Sequence, residues 1–391
     1  MKIIVHRGTH QIGGVAAEIS SAKTRIIIDM GDELSLDPDF VPEQLNILGV
    51  TDGNRQCDGV LFTHNHGDHI GQYINIHKDI PLYIGELSKE IQMLSDWNGT
   101  PKQKQRILDT ITFKPGEPFI IGDIQITPFL VDHSSCDSYM FLIEAEGKRI
   151  LHTGDFRTHG FRGKALPKIL DKLVGHVDIL ITEGTTLSRP QEPAMTEHEL
   201  QQKVKEYIRD NKYVFVLCAA TNLERVLGLA HAVPRGKYFI CDEYQKKLLE
   251  LIETYRQEKS SLYQIPKMTI YGSNLLERFR KNGFLMVVRA NRKFKGILRE
   301  FDPAQSIILY SLWDGYRTRP GSTIPDFLSF CKWEHLHTSG HASLEDIRMV
   351  IEKTNPSFII PIHTEQPEVL QQCCPLSNVI LLKDGEEMSV V

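Results

Sequence analysis

The sequence predicts an α/β protein in which a sheet-rich domain is interrupted by a second α/β segment. With 391 residues, the chain exceeds what one hydrophobic core usually holds, so two domains or one domain with a large insertion are expected. Short β-branched runs separated by Gly, Asp and Asn turns extend to Glu183, which is typical of sheets. The middle of the chain alternates helical and buried-strand patterns instead, as parallel sheets flanked by helices do.

Composition and charge exclude several classes of protein. The chain is 41% hydrophobic and 24% charged, which lies outside the disordered range. Its seven cysteines have no CxxC spacing and predict neither a disulfide framework nor a thiolate zinc site. We find no signal-peptide pattern and no apolar run of the ~18 residues that a membrane span needs, so we expect a cytoplasmic protein. The net charge of −5 argues against a globally basic nucleic-acid coat.

The elements of the sheet-rich part follow from local patterns. Gly122-Asp123 separates two β-branched runs and predicts a hairpin turn. Strands are predicted at 23–29, 58–63, 123–129, 138–144 and 357–362, and helices at 85–97, 166–174 and 343–353.

The inserted segment begins at a break in this pattern. Residues 188–193 read SRPQEP, and Thr196 with Glu199 forms a capping box that opens a helix. Strands at 214–218, 237–241 and 306–310 then alternate with helices at 222–231 and 243–257. We therefore place a boundary near 187–195, with 1–190 and 335–391 forming one domain and 191–334 the insertion.

The strongest chemical signal lies in residues 63–69, which read THNHGDH. Three imidazoles and one carboxylate within six residues, directly after a strand, can direct two groups of ligands at two neighbouring points. Zinc takes neutral imidazole nitrogens and carboxylate oxygens, and catalytic zinc keeps one position for water. The order HxHxDH therefore predicts a dinuclear metal centre. Further ligands are expected at the ends of later strands, where His133, Asp155 and His363 lie.

Taken in order, these motifs resemble those of the metallo-β-lactamase superfamily, an αββα sandwich that holds one or two metals between its sheets. The resemblance implies that His64, His66 and His133 bind one metal and that Asp68, His69 and His363 bind the other, with Asp155 as the bridge. Asp29 in the IIIDMG segment would be the supporting carboxylate. The implied cofactor is a pair of divalent ions, zinc in the first place and Mn²⁺ as the other candidate.

Asp155 and His363 are 208 positions apart, and this part of the chain contains motifs that resemble the β-CASP branch of the superfamily, the nucleases that include ribonuclease J. Glu183 in ILITEGTT resembles its first additional motif, the HLHTSGHA segment that ends in His341 and Ala342 its second, and His363 its third. A histidine in the third motif is typical of the RNA-processing members. The resemblance implies that His341 is the general acid, oriented by Glu183, and that phosphate is contacted by His337, Ser339, Gly340, Thr221, Asn222 and Arg225.

Residues 278–299 contain eight Lys or Arg, no acidic residue until position 300, and three interleaved phenylalanines. Such a run is usually a solvated face. Within an insertion that forms one wall of a nucleic-acid cleft, it predicts contacts to the RNA backbone by Arg289, Arg292 and Lys293.

The motifs thus predict a metal-dependent hydrolase with hydroxide from the dinuclear centre as nucleophile. The resemblance implies that it is a nuclease that cleaves phosphodiester bonds in single-stranded RNA and leaves 5′-phosphate and 3′-hydroxyl ends. Whether cleavage is internal or 5′-exonucleolytic stays open, as do single-stranded DNA as a substrate and a homodimer. Two alternatives were weighed: a small-molecule hydrolase of the same fold, such as a lactonase or cyclic phosphodiesterase, and a non-catalytic scaffold subunit. Val15 departs from the family pattern, which has Asn at that position.

Overall fold

The structure is a computed structural model that describes residues 1–35, 37, 39–95, 99–189, 194–256 and 258–390. Its strands, in chain order, are β1 (Lys2–Arg7), β2 (Ala16–Ser20), β3 (Arg25–Ile28), β4 (Gly59–Leu61), β5 (Leu82–Gly85), β6 (Ile111–Phe113), β7 (Phe119–Ile121), β8 (Ile124–Val131), β9 (Ser138–Ala145), β10 (Lys148–His152), β11 (Ile179–Glu183), β12 (Tyr213–Leu217), β13 (Tyr238–Cys241), β14 (Met268–Ile270), β15 (Phe284–Val288), β16 (Ser306–Tyr310), β17 (Lys332–His335), β18 (Phe358–Ile362) and β19 (Glu387–Ser389). Its α-helices are α1 (Gly67–Ile70), α2 (Glu86–Ser95), α3 (Pro101–Leu108), α4 (Leu166–Ile169), α5 (Glu197–Asp210), α6 (Leu223–Ala232), α7 (Glu243–Arg256), α8 (Leu276–Asn282), α9 (Arg292–Leu298), α10 (Asp314–Thr318), α11 (Ile324–Leu328), α12 (Leu344–Thr354) and α13 (Pro367–Cys373).

Two sheets face each other and enclose the first core. The seven-stranded sheet has the order β19-β1-β2-β3-β4-β5-β6, and the six-stranded sheet has the order β18-β11-β10-β9-β8-β7. Isoleucines from both sheets, such as Ile26 and Ile181, pack into one buried cluster. The outer faces are covered by α1 and α3 on one side and by α4 and α12 on the other. The predicted αββα sandwich is therefore confirmed.

The third sheet contains only parallel strands, in the order β14-β13-β15-β12-β16-β17. Helices α5, α6 and α7 cover one face, and α8, α9 and α11 cover the other. The alternation of helix and strand patterns had predicted this arrangement, because parallel neighbours need helical crossovers. None of the helices in the described ranges is long and apolar enough to cross a bilayer.

Local signals predicted several elements closely. Gly122-Asp123 joins β7 to β8 as a two-residue hairpin, with Gly122 at a φ of +57°. The capping box at Thr196 and Glu199 opens α5. The predicted helix 166–174 begins as α4 and continues as a π-helical turn, Leu170–Val174.

Some predictions fall partly on residues that the structure does not describe. The helices predicted to reach Trp97 and Gln257 end at Ser95 and Arg256, and residues 96–98 and 257 lie outside the described ranges, as do residues 190–193 at the predicted domain boundary. The strands of the third sheet all lie between residues 213 and 335. The division at 190 and 334 stays a prediction.

Candidate metal centre

The motif residues gather at one edge of the sandwich, where strands from both sheets end. The 63–69 loop follows β4, Asp29 follows β3, and His133 lies two positions after the end of β8. Asp155 comes after β10, Glu183 ends β11, and His363 follows β18. Strands β3 and β4 are parallel, as are β10, β11 and β18, and the carboxyl ends of parallel strands meet at one edge. Residues distant in sequence are thereby brought together.

The backbone is held in an uncommon conformation at two of these positions. Asp29 and His363 have φ angles of +62° and +54°, which non-glycine residues rarely adopt and which cluster at functional sites. At Asp29 the turn is fixed because its carboxylate accepts hydrogen bonds from the backbone N–H and hydroxyl of Thr63, both at 2.8 Å. At His363 the backbone N–H donates to Gly8 O at 2.7 Å.

The first predicted ligand group is His64, His66 and His133, whose candidate ligand atoms all lie within 4.8 Å of one another. Nε2 of His133 is 3.2 Å from Nδ1 of His66. Burial lowers the pKa of His64 and of His133 well below the ordinary histidine value. Both imidazoles are therefore neutral near pH 7, which is the form that binds metals.

The second predicted group is Asp68, His69 and His363, again within 4.8 Å. Asp155 lies between the two groups: its Oδ2 is 3.2 Å from Nε2 of His69, 3.8 Å from Nε2 of His133 and 4.0 Å from Nε2 of His363. One carboxylate oxygen thus reaches ligands of both groups, as the predicted bridge requires.

The donor atoms fit a divalent cation. Nε2 of His64 and Nε2 of His69 are buried and have no hydrogen-bond partner. Nε2 of His69 lies near Oδ2 of Asp155, but the angles between the two groups do not fit a hydrogen bond. Buried polar atoms without partners are rare in proteins. Burial lowers the pKa of His69, but the carboxylates of Asp155, Asp29 and Asp68 outweigh burial and raise it well above the ordinary value. The surroundings therefore favour positive charge here, which a divalent metal ion supplies.

Outer hydrogen bonds orient the imidazoles toward this centre. Nδ1 of His69 donates to Asp29 at 2.8 Å, and Nδ1 of His133 donates to Gly340 O at 2.6 Å. Nδ1 of His363 lies 2.7 Å from the Thr185 hydroxyl. Such contacts fix the ring orientation and leave Nε2 for the metal. Asp29 therefore lies where the sequence placed it, as a supporting carboxylate, while Thr185 was missed because a threonine in a turn carries no distinctive signal.

The predicted acid and its partner are also in contact. Nδ1 of His341 is 3.1 Å from Oε2 of Glu183 and 3.5 Å from Oδ2 of Asp155. Burial lowers the pKa of His341, but the charges of Glu183 and Asp155 outweigh it, so the pKa lies above the ordinary value. These two carboxylates therefore favour the protonated form of His341 beside the metal ligands.

Buried charges fix the segment that carries His341. Arg225 donates to Thr338 O at 2.9 Å, and Arg157 donates to Ser339 O at 2.9 Å. Both arginines also pair with Glu197, at 2.6 and 3.0 Å. A Cβ at Gly340 would lie 2.7 Å from the Ser134 hydroxyl and 3.0 Å from Ser134 Cβ, so a side chain there would require Ser134 to move.

This network corrects the prediction that Arg225 contacts phosphate. Its side chain is 2% exposed, and its three nitrogens donate to Glu197, Ser311, Thr338 and His337. Burial and the charge of Arg225 lower the pKa of His337 well below its usual value, so His337 is neutral. Arg157 and Glu197 were missed, since Glu197 has only a capping-box context in the sequence.

The other predicted phosphate contacts have different surroundings. Ser339 and Gly340 are half-buried next to the centre, and Ser339 Oγ accepts from the backbone N–H of His341 at 3.1 Å. Thr221 is half-buried, whereas Asn222 is 6% exposed and its Oδ1 has no hydrogen-bond partner. Phosphate binding by these four residues stays a prediction.

The basic run 278–299 does not form one continuous surface. The buried central strand β15 passes through its middle, so the two halves of the run lie at opposite ends of that strand, about 16 Å apart. Phe279, Phe284 and Phe294 are all fully buried in the core, so they are not available to stack on bases. The run is therefore not one continuous basic and aromatic surface, and a role of the whole run in tracking the RNA backbone stays a prediction.

The half of the run near α9 has its own partners. Arg289 pairs with Asp242, and Lys293 lies 3.0 Å from the same carboxylate. Arg292 is exposed at the start of the helix. RNA contacts by Arg289, Arg292 and Lys293 stay a prediction.

Comparisons with known proteins agree with this architecture. The family described as "Beta-lactamase superfamily domain" matches residues 24–210, and the family described as "Zn-dependent metallo-hydrolase RNA specificity domain" matches residues 331–373. A crystal structure of a protein of unknown function from Enterococcus faecalis V583 superposes with a TM-score of 0.79 at 21% identity and covers 99% of both chains. That likeness shows the fold.

Curated relatives include Ribonuclease J of Helicobacter pylori (strain ATCC 700392 / 26695), which is 22% identical over all of this chain. This chain spans 61% of that relative's length. Ribonuclease J 2 of Staphylococcus saprophyticus is 23% identical over 90% of this chain and 68% of its own. The Probable RNase MJ4 of Methanocaldococcus jannaschii is 22% identical over 94% of both. These domain matches and relatives together support a ribonuclease J-like protein of the metallo-β-lactamase superfamily and its β-CASP branch.

Proposed function

We propose that the protein is a metal-dependent ribonuclease that hydrolyses phosphodiester bonds in single-stranded RNA and leaves 5′-phosphate and 3′-hydroxyl ends. The observation that carries this proposal is the contact of His341 with both Glu183 and Asp155, at 3.1 and 3.5 Å. It supplies a proton donor beside a metal-binding cluster, which phosphodiester cleavage needs because the leaving alkoxide is a poor leaving group. The names of the relatives and the RNA specificity domain support RNA as the substrate class.

The proposal includes two divalent ions, zinc in the first place. The first would be held by His64, His66 and His133, the second by Asp68, His69 and His363, and Asp155 would serve both. When bound, such ions supply Lewis-acid charge and lower the pKa of water so that a nucleophile exists near neutral pH.

The chain's own residues supply the rest of the chemistry. Glu183 holds Nδ1 of His341, which leaves Nε2 to donate its proton to the leaving oxygen of the RNA. The backbone N–H groups of Phe156 and Ala342 donate to the other oxygen of Glu183, at 2.8 and 3.3 Å, so this carboxylate cannot turn away. Ser339 and Gly340 lie next to His341 and would face the phosphate.

The two alternative functions have less support. A scaffold subunit would have no need for a complete set of metal-binding side chains, and all seven are present and grouped. A small-molecule hydrolase would have no evident use for the segment 331–373, which matches an RNA specificity domain.

The test is hydrolysis of 5′-labelled single-stranded RNA, of matched DNA and of bis(p-nitrophenyl) phosphate, each with and without chelator. We expect cleavage of RNA that the chelator abolishes, with products that carry 5′-phosphates. Asp68→Ala should remove activity on every substrate, whereas His77→Ala, a change outside the cluster, should not. Hydrolysis of the chromogenic substrate without any cleavage of RNA would refute the proposal and favour a small-molecule hydrolase.

A further inference from the structure

Two half-exposed aromatic side chains lie at the start of α10, the short helix that follows β16. Trp313 is 38% exposed and Tyr316 is 40% exposed, and their ring centroids are 5.5 Å apart in an edge-to-face arrangement. The guanidinium of Arg189 lies 5.3 Å from the Trp313 ring, and that of Arg319 lies 5.9 Å from the Tyr316 ring. We call these four residues the aromatic platform.

The platform has a fixed backbone. The Tyr310 hydroxyl donates to Trp313 O at 2.8 Å, and the Tyr316 N–H donates to the same oxygen at 3.1 Å. The His335 imidazole donates to Leu312 O at 3.0 Å. These hydrogen bonds hold the backbone at Leu312 and Trp313 in one conformation. Because the backbone is already ordered, little conformational entropy of the backbone is lost when a ligand packs on the Trp313 ring.

The platform borders the metal centre. Arg189 follows Glu183 by six residues in a segment that also carries Thr185, the hydrogen-bond partner of His363. The backbone N–H of Arg189 donates to Thr186 O at 3.0 Å, and the Thr186 hydroxyl donates to Ala342 O at 2.6 Å, directly after His341. Arg189, whose guanidinium lies over the Trp313 ring, therefore connects the platform to the segment of His341.

The chemistry of the platform suits a single nucleic-acid strand. Aromatic rings stack on bases of any sequence, and nearby arginines add cation–π attraction and charge for the backbone. The acidic residue at the start of α10, Asp314, forms a salt bridge with Arg317, with 2.7 Å between Oδ1 and Nε. We propose that Trp313 and Tyr316 form a stacking site for bases of the RNA strand that enters the metal centre. This inference rests on the proposed function, because it names how that substrate is bound.

The experiment measures binding of a fluorescent phosphorothioate-linked RNA of twelve nucleotides to the metal-loaded protein. Trp313→Leu and Tyr316→Leu keep an apolar side chain but remove the stacking face. Each should raise Kd by about five- to 150-fold, which is the range of a stacked base. Trp313→Phe and Tyr316→Phe should recover most of the affinity, since they keep a ring. Tyr255→Leu, at a residue of similar exposure (37%) on α7, should leave Kd unchanged.

A second RNA strand tests whether the contact is made by bases. It has the same length and charge, but the nucleotides at the platform are abasic. The Leu variants should bind this strand as the wild type does, because no base is left to stack. Equal Kd values for the wild type and the Leu variants on normal RNA would overturn the stacking site. The same loss of affinity on both strands would also overturn it. Cleavage of RNA by the wild type would leave the proposed function intact in either case. A wild-type protein that hydrolyses bis(p-nitrophenyl) phosphate but neither binds nor cleaves RNA would refute the proposed function and this inference with it.

Discussion

Nδ1 of His341 lies 3.1 Å from Oε2 of Glu183, and the second oxygen of Glu183 accepts a backbone hydrogen bond from Phe156 at 2.8 Å. The carboxylate is thus anchored to the strand end that carries Asp155, and it connects the segment of His341 to the metal ligands. In the proposed mechanism this contact fixes both the orientation and the protonation of the imidazole.

Replacement of His341 tests the acid. His341→Ala should leave the metals bound and should slow RNA cleavage by roughly 10² to 10⁴, the usual contribution of a general acid. A p-nitrophenolate leaving group needs no proton, so hydrolysis of bis(p-nitrophenyl) phosphate should fall much less. Single-turnover rates together with metal content measure both effects. A near wild-type rate on RNA with the metals in place would show that His341 has another role.

Metal content tests the cluster directly. Elemental analysis of the purified protein should find two divalent ions per chain, because two groups of ligands share Asp155. His133→Ala should lower this number, whereas His231→Ala, outside the cluster, should not. A chelator should also lower Tm, since an ion that binds only the folded chain stabilises it. Trace metal alone, with an unchanged Tm, would contradict the prediction.

The sequence predicted the centre better than it predicted the surfaces around it. The candidate ligands lie at strand ends, as their local patterns predicted, and their division into two groups was implied by the resemblance to the metallo-β-lactamase superfamily. Glu197 pairs with arginines 40 and 28 positions away, and no local periodicity reports such a contact. The sequence intersperses three phenylalanines among the basic residues of 278–299. These side chains lie on α8, β15 and α9 and are all buried in the core, namely Phe279, Phe284 and Phe294.

The aromatic platform was missed for a related reason. Trp313 and Tyr316 lie at the start of α10 and carry no motif, and Arg189, the arginine that contacts Trp313, is more than 120 positions away in the sequence. Only the folded chain brings these residues to one opening. Likewise, Arg225 was predicted as a phosphate contact from a resemblance in sequence, but its nitrogens are directed into the network of Glu197.

Glu18 on β2 makes stability depend on pH. It is 5% exposed, and its carboxylate lies 2.7 Å from His6 and from Arg25. Burial raises its pKa, but hydrogen bonds to His6 and Arg25 outweigh burial and lower it from 4.5 to about 2. A folded-state pKa below the unfolded value adds stability above pH 4.5, and that stability is lost as the pH falls toward 2.

In Glu18→Gln the free energy of unfolding should therefore fall less steeply between pH 4.5 and 2, by up to about 1.4 kcal/mol per pH unit. Urea unfolding at a series of pH values measures the slope. Glu352→Gln, at an exposed position of α12, serves as the control and should keep the wild-type slope. Identical slopes for all three proteins would contradict the assignment to Glu18.

Glu197 links stability to catalysis, because it lies between Arg157 and Arg225 and both arginines hold the carbonyls before His341. Hydrogen bonds and attraction to the two arginines outweigh burial and lower the pKa of Glu197 to about 2. Glu197→Gln removes the carboxylate that pairs with the buried Arg225, while Arg157 keeps its pair with Asp132 at 2.7 Å. The loss of the buried ion pair with Arg225 should cost about 3–5 kcal/mol of unfolding free energy. The rate of RNA cleavage should also fall, since the His341 segment loses its anchor, while metal content stays unchanged.

Urea unfolding, single-turnover kinetics and elemental analysis separate these effects. Glu206→Gln, at an exposed position of the same helix, should change none of them. A stable, fully active Glu197→Gln protein would show that the network does not position His341.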